Sequence, residues 1–311
     1  MEVADLIPSE HLIEQASRVV YDNALRTPIL PLPGTGIRMK MEALQPTGSF
    51  KIRGATAAFH SFTEEKPLAT VSAGNMGKAV AYLAERAGRR CIVYAPEHAP
   101  EAKISPIRQA GAEVQLVSYQ ELWALATSGE SPDPGVDFIH PFLNPHVIAG
   151  NATIGGELSG DLDVVLVPWG GGGLAIGVAA GLKANGSSAR VYAVEVTTGA
   201  PLTAAFAAGR PVEVPYQPSF VDGIGSVAVV DASWQAAREL LDGVVTVSPQ
   251  EAARAVRRVA ESCHVIVEGA AGCAVAAGED PRFAGARVVA VASGGNLDLS
   301  VLGRILGGEL L

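Results

Sequence analysis

Short runs of β-branched residues alternate with alanine-rich stretches along most of this chain. Several runs are apolar throughout, as strands covered on both faces of a sheet should be. Between them, apolar residues recur at helical spacing, for example at Ala79, Val80 and Leu83. Candidate strands are 69–71, 91–95, 112–117, 164–167, 190–195, 244–247 and 287–292. This alternation predicts an α/β fold with open, mostly parallel sheets covered by helices.

Length and charge narrow the class of protein. The chain has 311 residues, of which 48% are hydrophobic and 18% charged, so it can bury a large core. We expect a large unit built from 1–70 and 145–311 and a smaller, mobile unit at 71–144. Acidic residues outnumber basic ones by 32 to 23 without a basic run, which disfavours nucleic-acid binding.

Cysteine usage and the lack of targeting signals indicate a cytoplasmic protein. Cys91, Cys263 and Cys273 are an odd number without paired spacing, so we expect reduced thiols. The first residues show no basic segment followed by an apolar core, so no signal peptide is expected. The uncharged stretch 164–182 contains Pro168 and four glycines, which would break a helix in lipid, so we expect no membrane span.

The segment Ser49-Phe50-Lys51 places a lysine where a helix should begin. Ser49 is a good N-cap residue, and a helix is predicted over 50–62 with Lys51 in its first turn. The positive end of the helix dipole disfavours a cation there and favours the neutral amine, the form that attacks an aldehyde. On spacing alone, a solvated surface lysine remains the alternative.

Four successive glycines follow the strand candidate 164–167. They are Gly170, Gly171, Gly172 and Gly173, and Leu174 comes next. Their amides are unhindered by side chains and suit a phosphate at a helix N-terminus. The pattern matches neither the dinucleotide fingerprint nor a P-loop.

Two further loops also follow strand candidates, namely Ser72-Ala73-Gly74-Asn75-Met76-Gly77 and Ser293-Gly294-Gly295-Asn296. In the first, Gly74 and Gly77 would let the backbone approach a ligand, and the amides of the next helix suit a carboxylate. In the second, the Ser293 hydroxyl suits a ring nitrogen. In a parallel sheet such loops share one edge, where ligands bind. Ordinary βα turns remain the alternative for each loop alone.

Taken together, these segments resemble the fold-type II pyridoxal-phosphate (PLP) enzymes, which share the fold of tryptophan synthase β, and among them the serine/threonine dehydratases and serine racemases. The resemblance covers most of the chain, and the order and spacing of its fragments are specific. The fragments are Thr27-Pro28, 40–51, Ala73-Gly74-Asn75, 99–103, His140-Pro141-Phe142, 148–150, Asp222-Gly223-Ile224, Glu268-Gly269-Ala270 and 293–296.

The resemblance implies a PLP-dependent lyase that converts a β-hydroxy L-amino acid, threonine or serine, to a 2-oxo acid and ammonia, and that forms a homodimer. Lys51 would hold the cofactor as a Schiff base and act as the base at Cα. The implied cofactor contacts are Phe50 beside the ring, Asn75 at the ring hydroxyl oxygen, Gly170, Gly171, Gly172, Gly173 and Leu174 at the phosphate, and Ser293 at the ring nitrogen. The implied substrate pocket is Ser72, Ala73, Gly74, Asn75 and Met76. Glu268 would lie near the ring.

The chain departs from the family pattern at positions that bear on its activity. The resembling racemases carry a serine at the position of Ala73, and alanine moves no proton, so dehydration is favoured over racemisation. The metal site of the family is incomplete: Glu195 matches a ligand and Gly199 offers a carbonyl, but Pro201 has no side-chain oxygen. We therefore expect a weak metal site or none. His140 and His146 are expected to cap turns or pack.

Other functions stay open at this point. Met76, Gly77 and Lys78 differ from the commoner carboxylate loop, so the substrate is undetermined. A β-replacement synthase of the cysteine-synthase type is an alternative, although its lysine is usually followed by an acidic residue and Ile52 is found here. A serine racemase is another, and a non-catalytic small-ligand binder is the alternative from a different class.

Overall fold

The computed structural model describes residues 6–99, 101–131 and 133–311. The described residues form a six-stranded sheet and a four-stranded sheet, which confirms the predicted α/β fold. The six-stranded sheet has the order β1-β2-β10-β7-β8-β9. Its strands are β1 (Ile29–Pro31), β2 (Ile37–Lys40), β7 (Val164–Pro168), β8 (Arg190–Val196), β9 (Gly243–Val247) and β10 (Val288–Val291). β1 is antiparallel to β2, and the other pairings are parallel.

The smaller sheet is parallel throughout and has the order β5-β4-β3-β6. Its strands are β3 (Leu68–Val71), β4 (Cys91–Pro96), β5 (Glu113–Val117) and β6 (Asp137–Phe138). We propose that the two sheets mark the two expected units. The expected boundary after residue 70 falls inside β3, so the sheets favour a boundary before Leu68.

Helices flank both sheets. They are α1 (Glu10–Val19), α2 (Lys51–Phe59), α3 (Asn75–Ala87), α4 (Glu101–Gln109), α5 (Tyr119–Ser128), α6 (Pro145–Glu157), α7 (Gly173–Ala184), α8 (Pro201–Ala208), α9 (Asp231–Leu240), α10 (Pro249–Cys263), α11 (Gly269–Ala277) and α12 (Leu299–Leu306). Within the described ranges, no helix combines the length and the apolar character that a membrane crossing requires. Pro100, which belongs to one fragment of the resemblance, lies outside the described residues.

Each predicted strand is present, with bounds shifted by a residue or two. The sequence did not predict β1, β2 and β6, because they are short and each carries a proline or a charged residue that masks the apolar pattern. β2 nevertheless matters for the site, because it pairs with β10 and leads into the Lys51 segment.

The predicted start of α2 is wrong in one respect. Ser49 does not cap the helix: Phe50 occupies the N-cap position, and the Ser49 hydroxyl is buried without a hydrogen-bond partner in the described part of the chain. The reason is that Ser49 belongs to an extended segment, where it forms an antiparallel bridge with Gly294. The helix also ends at Phe59, earlier than predicted.

Close helix packing fixes α2 relative to α7. A Cβ at Gly150 of α6 would lie 2.5 Å from the Arg53 carbonyl oxygen of α2. A Cβ at Gly181 of α7 would lie 2.0 Å from the Ala152 carbonyl oxygen of α6. Only glycine permits these approaches. The helix that begins at Lys51 and the helix that begins at the glycine run are therefore held through one shared neighbour.

A buried ion network also anchors α2. The guanidinium of Arg53, which is fully buried, contacts the carboxylates of Glu42 and Glu157 at 2.8 and 2.6 Å. Lys40 also binds Glu157, at 2.5 Å. A buried charge is tolerated only when it is paired in this way. Arg53 lies two residues after Lys51, so the network fixes the turn of α2 that carries the lysine.

Candidate active site

The Lys51 segment and the Ser293 segment are hydrogen-bonded to each other. The Phe50 amide donates to the Ser293 carbonyl at 2.9 Å, and the Gly295 amide donates to the Gly48 carbonyl at 2.8 Å. Two of the loops singled out in the sequence thus lie side by side at the carboxyl end of β10.

Lys51 is the first residue of α2, and its side chain points into the site. Its Nζ donates to the Pro141 carbonyl at 2.9 Å and lies 5.1 Å from the ring centre of Phe50. Burial lowers the pKa of Lys51 to about 8, and the nearby Glu268 carboxylate opposes this shift. The sequence predicted a lowered pKa from the helix dipole, but burial is the larger cause.

Glu268 lies at the centre of the candidate site. Its carboxylate is 6% exposed and accepts hydrogen bonds from Asn75 Nδ2 at 2.9 and 3.2 Å and from Ser293 Oγ at 3.4 Å. Burial raises the pKa of Glu268 to about 7, although the Asn75 hydrogen bond favours the charged form. The sequence suggested only that Glu268 is near the ring. In the structure, the Glu268 carboxylate is hydrogen-bonded to Asn75 and Ser293 and interacts electrostatically with Lys51.

Two residues of the site were quoted in the sequence but given no role there. Asn296 Nδ2 donates to Asn75 Oδ1 at 2.7 Å and to the Thr47 carbonyl at 2.9 Å. Lys78 Nζ donates to Asn296 Oδ1 at 3.1 Å, and burial lowers the pKa of Lys78. Helical spacing could have identified Lys78 from the sequence, because Lys78 lies three positions after Asn75 and therefore on the same face of α3.

The glycine run forms the start of α7. Gly172 is the N-cap with a φ of 95°, in the left-handed region that favours glycine. A Cβ at Gly171 would lie 2.3 Å from Cγ of Phe142, so the loop packs directly against that ring. The first-turn amides have no partner inside the helix, and no side chain in the described residues caps this end. This uncapped turn fits the expected phosphate.

Phe142 is itself fixed by a buried histidine. His140 Nδ1 accepts hydrogen bonds from the amides of Leu143 at 2.9 Å and Phe142 at 3.3 Å, as the prediction of a turn-capping role requires. Burial lowers the pKa of His140 to about 4, so the ring is neutral near pH 7. This neutral cap holds the Pro141 carbonyl, to which Lys51 donates, next to the glycine run.

The loop 72–77 ends β3 and starts α3. Ser72 Oγ accepts from the Gly74 amide at 3.1 Å, and a Cβ at Gly74 would meet nothing closer than 3.8 Å. Gly77 also allows close packing: a Cβ there would lie 2.3 Å from the Ser72 carbonyl oxygen and 2.9 Å from the Ile107 side chain of α4. The side chain of Met76 is buried in the core, so a contact of this residue with the substrate would be made by its backbone amide.

Phe50 and Leu174 belong to one hydrophobic cluster beneath the site. Phe50 is 8% exposed and Leu174 is 6% exposed. The two residues expected at the ring and at the phosphate therefore belong to the same part of the core.

Glu195 is engaged by the protein itself. It is fully buried, and its carboxylate accepts hydrogen bonds from the Leu202 amide, the Thr203 amide and the Thr203 hydroxyl, at 2.8, 2.8 and 2.7 Å. It thus satisfies the first amides of α8. Among the described residues, no group of three histidines, cysteines or carboxylates converges to hold a metal ion.

Comparison with known proteins gives a consistent result. The family model described as "Pyridoxal-phosphate dependent enzyme" matches residues 20–294. The chain is 35% identical to the L-threonine ammonia-lyase of Thermotoga maritima, over 94% of this chain and 77% of that protein. It superposes on the threonine deaminase of the organism abbreviated T.th. with a TM-score of 0.85 and 31% identity, covering 94% of this chain and 99% of that one. It also superposes on maize serine racemase with a TM-score of 0.86 and 27% identity, covering 97% and 98%.

Proposed function

The chain belongs to the pyridoxal-phosphate-dependent enzyme family, and on that premise we propose that it is an ammonia-lyase that converts L-threonine, L-serine or a related β-hydroxy amino acid to a 2-oxo acid and ammonia. The observation that carries this proposal is the buried Lys51 amine beside Glu268, with a pKa lowered to about 8. An amine with such a pKa can lose its proton near neutral pH and take one from a substrate. The similarity to an L-threonine ammonia-lyase supports the reaction type.

The residues present fit the cofactor. Lys51 would bind it covalently, and the amides of Gly170, Gly171, Gly172 and Gly173, with that of Leu174, would bind its phosphate at the positive end of α7. Asn75 would donate to the ring hydroxyl oxygen, Ser293 would face the ring nitrogen, and Phe50 would pack beside the ring. When bound, pyridoxal phosphate withdraws electrons from the substrate Cα and so makes its proton acidic.

Residues of the chain bind the substrate and transfer its protons. The start of α3 binds the substrate carboxylate, through the amides of 74–76 and the Ser72 hydroxyl. Lys51 Nζ removes the Cα proton, and the same ammonium can return a proton to the leaving β-hydroxyl. The Ser293 hydroxyl is neutral, so it does not hold a proton on the ring nitrogen as a carboxylate would. This favours prompt loss of the hydroxyl over a long-lived carbanion.

Ala73 separates this proposal from racemisation. A racemase needs a second group that moves a proton on the opposite face of Cα, and a methyl side chain cannot do so. The similarity to maize serine racemase therefore supports the shared fold and cofactor, while Ala73 favours the lyase. A β-replacement reaction would need a second nucleophilic substrate, and Ile52 in place of an acidic residue disfavours it.

A substrate panel tests the proposal. Purified enzyme with pyridoxal phosphate is given L-threonine, L-serine, 3-hydroxyaspartate and bulkier β-hydroxy amino acids, and 2-oxo acid and ammonia are measured. We expect equal amounts of both products from at least one substrate. Product formation that depends on added sulfide, without 2-oxo acid, would instead identify a β-replacement synthase.

We also propose a cytoplasmic homodimer. Cys91, Cys263 and Cys273 are free thiols in the structure, which suits a reducing compartment. Light scattering should give twice the chain mass of 32.0 kDa, and a mass of one chain would contradict the dimer.

A further inference from the structure

A continuous line of hydrogen bonds joins Lys78 to Glu268. Lys78 Nζ donates to Asn296 Oδ1 at 3.1 Å, and Asn296 Nδ2 donates to Asn75 Oδ1 at 2.7 Å. Asn75 Nδ2 then donates to the two oxygens of Glu268 at 2.9 and 3.2 Å. We call Lys78, Asn296, Asn75 and Glu268 the amide relay. Its two inner members are side-chain amides, which transfer no protons but have a definite direction.

The outer contacts of Asn296 fix that direction. An asparagine amide has one oxygen that accepts and one nitrogen that donates. Asn296 lies between the Lys78 ammonium, which can only donate, and the Thr47 carbonyl, which can only accept. One orientation alone satisfies both neighbours, with Oδ1 toward Lys78 and Nδ2 toward Thr47.

The orientation of Asn296 dictates that of Asn75. Since Asn296 presents its nitrogen to Asn75, Asn75 must present its oxygen in return, which turns Asn75 Nδ2 toward Glu268. The Asn296 amide also lies close against the backbone of Gly48, where a Cβ would lie 2.7 Å from its Oδ1. Lys78 and the Thr47 carbonyl thus act together on Asn75 through Asn296. Without a donor at residue 78, Asn296 Oδ1 loses that partner and the Thr47 carbonyl must hold the amide in this orientation without it.

We propose that Lys78 is a positioning residue that, through Asn296, keeps the donating nitrogen of Asn75 turned into the cofactor site. This inference rests on the proposed function, in which Asn75 donates to the ring hydroxyl oxygen of pyridoxal phosphate. A reversed Asn75 would place an acceptor against both that oxygen and the Glu268 carboxylate, which costs binding free energy because buried polar groups are left unpaired.

The amide relay predicts that cofactor affinity depends on hydrogen-bond donation by residue 78 and not on the charge of residue 78. Glutamine keeps a donor without charge, methionine removes the donor at similar length, and glutamate offers only acceptors near pH 7. An electrostatic role, in which the ammonium acts on Glu268 through space, predicts instead that glutamine and methionine are equivalent. The series Lys78→Gln, Lys78→Met and Lys78→Glu therefore separates the two explanations.

The experiment measures the dissociation constant of pyridoxal phosphate for the full-length protein by equilibrium dialysis, with the absorbance spectrum of the bound cofactor and the melting temperature as further readouts. We expect Lys78→Gln to bind within about twofold of the unsubstituted protein, Lys78→Met about tenfold more weakly, and Lys78→Glu roughly a hundredfold more weakly. The absorbance spectrum should change for Met and Glu but not for Gln. Lys183→Met, at an exposed lysine in the last turn of α7, is the matched control and should change neither the dissociation constant nor the absorbance spectrum.

Two outcomes would overturn the relay: equal weakening by Gln and Met, or normal affinity in all three variants. Asn75→Ala distinguishes failure of the relay from failure of the proposed function. If Asn75→Ala leaves the affinity unchanged, the proposed role of Asn75 is wrong. If Asn75→Ala weakens binding and the Lys78 series does not, the relay alone is wrong. In the Asn75→Ala background, Lys78→Met should have no further effect on affinity.

Discussion

Asn75 and Glu268, which are 193 positions apart, are joined by two hydrogen bonds from one amide nitrogen to both oxygens of one carboxylate. Asn75 begins α3, which follows a strand of the smaller sheet, and Glu268 immediately precedes α11 of the larger part. The contact therefore joins the two sheets across the site. Glu268, which titrates, and Asn75, which donates to it, lie on segments that pack with different sheets. The geometry of the site therefore depends on how the two sheets are placed relative to each other.

Replacement of Lys51 should remove both cofactor attachment and turnover. Lys51→Ala deletes the only amine proposed to bind the cofactor covalently and to move the Cα proton, so the rate of 2-oxo acid formation should fall at least about a thousandfold. Mass spectrometry after borohydride reduction should find the cofactor on Lys51 in the unsubstituted protein and on no residue of the variant. Lys183→Ala is the control. Substantial turnover by a folded Lys51→Ala protein would overturn the mechanism.

Cofactor uptake should accelerate with pH around the lowered pKa of Lys51. Below about pH 8 the amine holds a proton and cannot attack the aldehyde, while above it the neutral amine dominates. The rate of uptake by protein stripped of cofactor, followed by stopped-flow absorbance, should thus rise with a midpoint near pH 8. A midpoint above about pH 10, as for an exposed lysine, would show that burial does not act on this amine.

Glu268→Gln should change how stability depends on pH. The pKa of Glu268 is raised from 4.5 to about 7, so between these values the folded protein keeps a proton that the unfolded chain has released. Stability therefore falls as pH rises through this window. Glutamine does not titrate, so relative to the unsubstituted protein the variant should gain about 3 kcal/mol between about pH 4.5 and pH 8. Urea unfolding of cofactor-free protein at both pH values measures this. If the variant and the unsubstituted protein differed in stability by the same amount at both pH values, the raised pKa of Glu268 would be contradicted.

Removal of divalent cations should leave activity unchanged. Both oxygens of Glu195 accept hydrogen bonds from the start of α8, which leaves this carboxylate little capacity for a cation. Initial rates in chelator should match those in added magnesium or calcium. Glu195→Ala should instead lower the free energy of unfolding by about 2 kcal/mol, because the buried amide of Leu202 and the amide of Thr203 lose their acceptor. A rate that falls in chelator and recovers with one of these cations would show a metal site.

The substitution Ala73→Ser should introduce racemisation. The unsubstituted enzyme has no proton-moving group at this position and should form negligible D-serine from L-serine. A hydroxyl at residue 73 supplies a candidate for the second face, so chiral chromatography should detect D-serine in the variant. Lys51→Ala combined with Ala73→Ser should form none. Appreciable D-serine from the unsubstituted enzyme would refute the role given to Ala73.

Much of the site could be predicted because its parts are local in sequence. The glycine run and the loop at Ser293 follow β7 and β10 of the larger sheet, and parallel strands bring such loops to one edge. The loop around Asn75 follows β3 of the smaller sheet, so the shared-edge argument does not place it beside the other two. The start of α2 could not be predicted in this way. Ser49 has the composition of a cap but is paired with Gly294, and a partner so distant leaves no trace in local propensity.

The importance of Glu268 and Lys78 depends on burial and on long-range contacts. Glu268 titrates near neutrality because the fold removes it from water, which no local pattern records. Lys78 differs from the commoner family pattern and was noted only as a departure. Its contact with Asn296 becomes visible when α3 and the loop after β10 are placed side by side.

The pairing of Thr47 with Asn296, residues 249 positions apart, also means that the candidate site can be complete only after both segments have been synthesised. The lysine segment and the glycine run leave the ribosome well before the Ser293 segment that completes them. A partly synthesised chain that lacks this segment can therefore neither orient Asn75 nor close the site around Lys51. Until the Ser293 segment has been translated, the Lys51 amine therefore lacks the complete site in which we propose that it reacts.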